Sequence, residues 1–526
     1  MEGMRSEGSN ANQAIARAAG VVMFAFIISQ LTGLAYQVIA AQAFGTDSSM
    51  DAFNAANRVA ETLFRLIAGG ALGSAFIPTF TALLVKGERE HAWKLAASVG
   101  NLVLLVLVVL GILAAVFAPQ IVRNFLAPGF KDPAQERLTV QLMRIMLPSA
   151  AIFGISGLVM GILNSHQIFL APALTPAMYR LGMIFGILVL SPKMGIYGLA
   201  WGVLIGAMAH LLLQIPALLR QGMEYTPILG LDRPEVREVF RLMGPRLLGV
   251  AVVELNFWVN TRLASFMPEG SVTGVTFAFV LMLMPQAAIA QSIATAAMPT
   301  LAAQFARDQL KQVQDSLAGI LRSILLLSLP ASVGLILLRT PLVQLLFQRG
   351  EFTERSTTLV AWALLWYAAG LVGHSVMEVL ARAFYALHDT RTPVFVGVIA
   401  MSLNVAFSFV FSALFEKIGW MPHGGLALAN SLATALEMSA LLVLMRRRLD
   451  GIQGKRVLQG LAAAIFSTSV MALALWAWTS KASMLAAWQV VGGGLVIGGL
   501  MYGIVLMFLR VPEINGLIQL IKKRVQ

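Results

Sequence analysis

No cysteine occurs in the 526 residues. Disulfides, thiolate metal sites, thiol chemistry and a lipidated cysteine anchor are therefore excluded. Charge is scarce as well: Asp, Glu, Lys and Arg make up 12% of the chain, against about 25% in a soluble globular domain. There is no glycine-rich loop ending in Lys-Ser or Lys-Thr and no His-Glu-x-x-His pair, which argues against ATP-driven transport by this chain alone. The segments between apolar runs are too short for a catalytic domain. No catalytic residue, bound metal or resident cofactor is expected. Acidic residues are also outnumbered, 25 against 38 Lys and Arg, for a net charge of +13. That excess sits in short loops between apolar spans, the pattern of positive-inside bias rather than of a nucleic-acid surface.

What is present is grease. Hydrophobic residues make up 58% and mean hydropathy is +0.79, which predicts an all-α polytopic membrane protein. A β-barrel would show segments of about 10 residues with alternating polarity. Apolar runs long enough to span fall at 15–42, 51–84, 93–119, 137–164, 169–191, 194–219, 240–266, 272–305, 316–339, 358–386, 393–415, 423–445, 457–479 and 486–509. This predicts fourteen helices, of which 51–84, 272–305 and 358–386 exceed a bilayer and should tilt, bend or project. The first 14 residues are polar and hold no short cleavable apolar run, so the first span reads as a retained helix. Lys and Arg concentrate in alternate loops, among them Lys86, Arg89, Lys94, Arg220, Arg233, Arg307, Lys311, Arg446 to Arg448 and Lys522 to Arg524. Both termini are accordingly expected in the cytoplasm.

A repeat divides the chain. Pro78 and Pro299, Gly129 and Gly350, and Pro172 and Pro393 stand in matching local contexts at one offset of 221 residues. Six helices per repeat predicts two lobes in parallel orientation, the plan of transporters that bind cargo between repeats. The expected domains are an N-terminal tail (1–14), an N-lobe (15–220), a linker (221–239), a C-lobe (240–448), and a C-terminal helix pair with a basic tail (449–526).

Asp51 to Phe80 is the stretch around which chemistry would organise. It is a membrane-like helix that carries Asp51, Arg58, Glu61 and Arg65, followed by Gly69-Gly-Ala-Leu-Gly73. Arg58, Glu61 and Arg65 share one helix face. A charge facing lipid costs roughly 3 kcal/mol, so this face should line a wet cavity or a protein interior; the plainer alternative is a helix end whose charges snorkel. The glycines allow close approach or a bend. Glu254, Asn256 and Arg262 lie in the seventh span, with Glu254 and Arg262 two turns apart on one face. In the tenth span His374, Glu378 and Arg382 repeat every four residues. That stripe is either a packed polar seam or an ion-coupling path, since His titrates near neutrality. Glu254 and Asn256 are oxygen donors suited to Na⁺. Arg180 and Glu437 are more isolated.

Three stretches carry a resemblance: Asp51-Ala-Phe with AGGALGSAFIP, LLFQRGEFT (345–353) and FYALHDTRTPV (384–394). The chain resembles the MurJ/MviN family of lipid II flippases. The resemblance implies two six-helix lobes plus a C-terminal pair forming a groove for a lipid tail. It implies transport of an undecaprenyl-pyrophosphate glycolipid between leaflets of a bacterial inner membrane by alternating access. Na⁺, H⁺ or the membrane potential would supply the drive. Membrane lipids and the cell-wall synthesis machinery would be partners. Pyrophosphate calls for arginine forks, and the cavity candidates are Asp51, Arg58, Glu61, Arg65, Arg180 and Arg262. The ion-coupling candidates are Glu254, Asn256, His374 and Glu378. The sequence departs from the family pattern S-R-x-x-G-x-x-R at Gln30 and Tyr36, in the tandem arginines at Phe64, and in the eighth span at Val280 and Leu283. That departure leaves open another polyprenyl-linked oligosaccharide as cargo, or a scaffold that does not transport.

Overall fold

The computed structural model describes Ala25 and residues 27–67, 71–482 and 484–513. The N-terminal tail with Arg5 and Arg17, the start of the first span, Gly69 and Gly70, and Lys522, Lys523 and Arg524 lie outside the described residues. Within them every regular element is helical. The helices are α1 (Ile27–Phe44), α2 (Ser48–Ile67), α3 (Ala71–Val85), α4 (Arg89–Val116), α5 (Pro133–Met146), α6 (Pro148–Ser165), α7 (Leu170–Phe185), α8 (Ile196–Leu212) and α9 (Pro234–Ser265). They continue as α10 (Ser271–Gln286), α11 (Ser292–Ala306), α12 (Leu310–Phe347), α13 (Glu354–Ala369), α14 (Leu371–Ala386), α15 (Arg391–Lys417), α16 (His423–Arg448), α17 (Gly454–Lys481) and α18 (Ala487–Phe508).

Eleven described helical stretches are long and apolar enough to cross a membrane, and two bent pairs raise the number to 13. The remaining expected span, 51–84, falls on α2, which carries four charges, and on α3, a shorter apolar helix. Residues 68–70, between α2 and α3, lie outside the described residues. Of the other two overlong runs, 272–305 is interrupted by a π-turn at Ala287–Gln291 between α10 and α11, and 358–386 bends by 48° where α13 meets α14.

That last bend has a local cause. A Cβ on Gly370 would come closer than 3.0 Å to Ser431 of α16. The Ser431 hydroxyl donates to the Trp366 carbonyl at 2.7 Å and Ser332 donates to Ala368 at 2.6 Å. Neighbouring hydroxyls thus satisfy the carbonyls that the bend frees, as a water-poor interior requires. The ninth span was expected at 316–339. It runs six residues earlier and eight later, because α12 continues through Pro330 and Pro341 to Phe347.

By packing, the chain divides into two compact units, one ending at Glu269 and the other beginning at Gly270. In the first unit a core of Phe76, Phe80, Trp93, Leu95 and Val99 is completed by Val236, Val239 and Met243 of α9. The helix that the sequence repeat places in the second half therefore packs within the first unit. The segment joining α8 to α9 is fastened to α4: Asn101 donates to the Ile228 carbonyl at 2.9 Å and accepts from the Tyr225 hydroxyl at 3.0 Å. α7 and the π-turn that follows it (Gly186–Leu190) approach α8 through Gly182, Gly186, Gly198, Gly202 and Gly206, where any added Cβ would press on the opposite backbone. Without a hydrophobic drive between helices in lipid, such close approach is a main source of association.

In the second unit α11, α12, α14 and α16 share a core that includes Leu317, Leu321, Ile324, Leu380, Phe384 and Leu441. The C-terminal pair, α17 and α18, packs along α12. Tyr502 donates to the Leu326 carbonyl at 2.6 Å, and Arg322 pairs with Glu513 at 2.8 Å. The repeat also shows in backbone conformation. Gly87 and Asp308 have φ of 80° and 56°, and Gln167 and His388 have 59° and 58°. Both pairs keep the 221-residue offset, so corresponding interhelical turns in the two units close through a left-handed residue.

In the second of these turns Asp389 caps α15. Its carboxylate accepts from the backbone of Thr392 at 3.0 Å and of Arg391 at 3.2 Å, from the Thr392 hydroxyl at 2.8 Å, and from Arg448 at 2.8 Å. Burial pushes the carboxyl upward. The Thr392 N–H and hydroxyl, Arg448 and the Arg391 N–H nevertheless hold it below its ordinary value of 3.8. Asp389→Ala is expected to cost about 1–2 kcal/mol, read as a lower Tm of detergent-purified protein. A depressed carboxylate stabilises above its unfolded value and loses that contribution as pH falls through its folded value. The Tm gap between wild type and variant should hold at neutral pH and shrink only below pH 3.8. A gap independent of pH would remove the charge from the explanation.

Candidate functional site

The charged face of α2 meets α9. Helical spacing aligns Arg58, Glu61 and Arg65, and Glu61 sits between the two guanidinium groups, 3.3 Å from Arg58 and 3.7 Å from Arg65. Asn57 donates to the other Glu61 oxygen at 2.9 Å. From α9, Glu254 lies 3.5 Å from Arg65 and is 3% exposed, whereas Arg65 is 44% exposed. Thr62 donates to Glu254 at 3.0 Å and accepts from the Trp258 indole at 2.8 Å. The Arg58 guanidinium stands over the Phe257 ring at 4.8 Å, a cation–π distance. Arg58 also keeps its Nε buried with no hydrogen-bond partner among the described residues. Glu254, Phe257 and Trp258 follow i, i+3, i+4 spacing, so one face of α9 delivers all three to α2. Phe257 and Trp258 were missed from sequence, where that spacing looks like ordinary core.

Arg180 approaches from α7. Its guanidinium lies against Gly33 of α1, so close that a Cβ there would be 2.7 Å from Nη1. Tyr36 and Tyr179 each lie within electrostatic reach of both Arg180 and Glu61. This places a cation from α7 beside the face of α1 where the family pattern supplies arginines. Phe64 stacks into an aromatic row instead: its ring is 5.0 Å from Phe153, which is 5.0 Å from Tyr179 and 5.2 Å from His210.

Other candidates stand elsewhere. Arg262, expected to share a cavity face with Glu254, donates instead to the Asn124 and Phe125 carbonyls. Those carbonyls end the π-turn Val122–Leu126, so a C-terminal helix end captures the cation. Asp51 is buried in the first turn of α2, about 10 Å of helical rise from Arg58. Asn256 is buried and accepts from Asn260 at 3.2 Å. Two residues from Glu254, it faces away from that carboxylate. Among the described residues no three His, Asp or Glu side chains group as metal ligands.

In the second unit the polar stripe of α14 divides in two. His374 faces α16, with Nε2 3.0 Å from the Asn430 side-chain oxygen and 3.4 Å from the Thr434 hydroxyl. Glu378 pairs with Arg382 at 2.8 Å, and Arg382 donates to Thr295 of α11 at 2.7 Å. Glu437 is buried, and one of its oxygens has no partner among the described residues.

Comparison with known proteins supplies a family. Residues 40–496 match the family model described as lipid II flippase MurJ. A protein named lipid II flippase MurJ from Burkholderia cenocepacia is 30% identical over 430 residues, covering 80% of this chain and 82% of its own. The solved structure titled lipid II flippase MurJ, inward closed conformation, superposes with a TM-score of 0.79 at 25% identity over 93% of this chain and 98% of that one. A multidrug resistance transporter of the MATE family superposes with a TM-score of 0.68 over 83% of this chain and 99% of its own; at 16% identity the likeness is one of fold.

Proposed function

This chain belongs to the lipid II flippase MurJ family, and from that premise we propose that it moves lipid II from the inner to the outer leaflet for cell-wall synthesis. It is a multi-pass protein of the bacterial inner membrane and a transporter rather than an enzyme. We place both termini in the cytoplasm on the loop charges, and assign secondary-type alternating access driven by Na⁺, H⁺ or the membrane potential. Lipid II is the substrate, and the cell-wall synthesis machinery is the expected protein partner.

One observation carries the cargo assignment: two arginines are held in an otherwise apolar bundle by loosely fitting acids. The Arg–Glu separations of 3.3, 3.5 and 3.7 Å exceed the roughly 2.7–2.9 Å of a tight charged hydrogen bond. At rest Glu61 and Glu254 balance Arg58 and Arg65, and the Arg180 guanidinium adds a positive excess. A pyrophosphate brings more charge and more acceptor oxygens than a carboxylate, so it can draw Arg65 from Glu254 and engage the unpartnered Nε of Arg58. Glu254 keeps its Thr62 bond during the exchange and recovers Arg65 on release. Cargo binding and resting stability thus compete for one guanidinium, which favours release as well as capture.

Rescue of a bacterium whose own lipid II flippase can be switched off tests this. Growth with normal outer-leaflet lipid II is the expected outcome. Failure by a chain shown to be made and inserted would favour another polyprenyl-linked oligosaccharide or a scaffold that does not transport, readings supported by Gln30, Tyr36, Phe64 and Val280 at the family's charged positions.

A further inference from the structure

Between α11 and α12 lies a cavity of about 430 Å³, within the range of roughly 300–1,000 Å³ typical of ligand sites. Ala297 and Thr300 of α11 face Ser316, Gly319, Ile320 and Ser323 of α12 across it. The spacing i, i+3, i+4, i+7 on α12 sets this row on one side of the helix. Gly319 creates the room: a Cβ there would meet no atom within 4 Å. The cavity walls are apolar with hydroxyls, and they belong to two membrane-spanning helices. An open apolar cavity between such helices takes up hydrocarbon in a bilayer.

Its occupant is further specified by charge. Arg307 follows α11 and Lys311 lies in the first turn of α12, both exposed. The start of α17 brings Lys455 and Arg456 to the same end, where Arg456 stands 4.0 Å from Asp315. The acids at this end are Asp308, Asp315 and Glu513; Glu513 is paired with Arg322, whose guanidinium also donates to the Arg456 carbonyl at 3.4 Å. At this end Gln304 donates to the Ser316 hydroxyl at 3.0 Å and holds α11 to α12 beside the cavity. We propose that this cavity binds an anionic phospholipid of the phosphatidylglycerol class. One acyl chain lies along Gly319 and the phosphate rests at Arg307 and Lys311. Basic residues at a helix end beside an apolar groove are the arrangement that recognises acidic lipids. The arginine cluster proposed for the cargo shares no residue with it.

The test is native mass spectrometry of the full chain released from nanodiscs of equal phosphatidylglycerol and phosphatidylcholine. Wild type is expected to retain one more phosphatidylglycerol than Gly319→Phe, whose ring fills the cavity. Arg307→Gln/Lys311→Gln, an exposed pair that leaves packing untouched, should keep a lipid but lose preference for the anionic one by about fivefold per cation. Equal phosphatidylglycerol retention by wild type and a Gly319→Phe protein of unchanged Tm would overturn the proposal, as would an unchanged preference in the double variant. Displacement by equimolar undecaprenyl phosphate would also overturn it, by assigning the cavity to the isoprenoid chain. None of these results depends on whether the chain flips lipid II.

Discussion

Arg65→Ala is expected to abolish rescue of a flippase-depleted bacterium, whereas Arg447→Ala, at the exposed end of α16, leaves growth intact. The reason is geometric. Arg65 is the more exposed of the two arginines on the charged face of α2, and it bridges Glu61 and Glu254. A guanidinium contact with phosphate contributes roughly 1.5–3 kcal/mol, so its loss lowers cargo affinity about tenfold to a hundredfold. The same substitution strands Glu254, 3% exposed, and leaving one partner of such a buried pair alone costs about 3–5 kcal/mol. Two further variants separate these effects. Arg65→Lys keeps a charge for Glu254 but loses the planar fork, so the protein should accumulate normally and still transport poorly. Arg65→Ala/Glu254→Gln removes the stranded charge and should recover stability without recovering transport. If Arg65→Ala and Arg447→Ala rescue equally well, the α2 face does not bind cargo.

Gly206→Leu is expected to prevent accumulation of folded protein. α7 and α8 cross with backbone against backbone: a Cβ on Gly206 would lie closer than 3.0 Å to the carbonyl oxygen of Tyr179, and one on Gly182 would meet the Cα of Gly206. The nearest obstacle is main chain, with the Tyr179 ring beside it, so the helices must separate and lose the packing that holds them. Overpacking typically costs about 1–3 kcal/mol where side chains can adjust; here the obstacle is main chain and the cost should exceed that. Gly111→Leu on α4 is the control, because its added Cβ meets no atom within 4 Å. Fluorescence-detected size exclusion with a thermal ramp should show a monodisperse peak of wild-type Tm for Gly111→Leu and none for Gly206→Leu. A folded Gly206→Leu protein would mean that the crossing is not held by glycine contact. The crossing also fixes Tyr179, next to Arg180, so the cation beside α1 depends on it.

Some of the site was legible in advance because it follows from one-dimensional spacing. The 3.6-residue period put Arg58, Glu61 and Arg65 on one face, and the structure brings them together. The same period set Glu254 and Arg262 on one face, yet the two take different partners. Arg262 has carbonyls of the Val122–Leu126 turn within reach, supplied by a segment some 140 residues earlier. Arg65 and Thr62 took Glu254 instead. Arg180 looked isolated, since nothing local shows that Gly33 leaves room for its guanidinium.

Composition and periodicity by themselves determined the membrane class, most of the spans and the 221-residue repeat. Each of these depends on how a segment meets lipid or on local turn chemistry, which neighbouring residues settle. Only the tertiary structure decided which acid neutralises which arginine, that α9 packs with the first unit, and where glycine opens a cavity rather than closing a contact. Those outcomes turn on distances of a few ångströms between residues far apart in the chain. A buried charge takes whichever partner the packing brings nearest, and sequence spacing cannot state that choice.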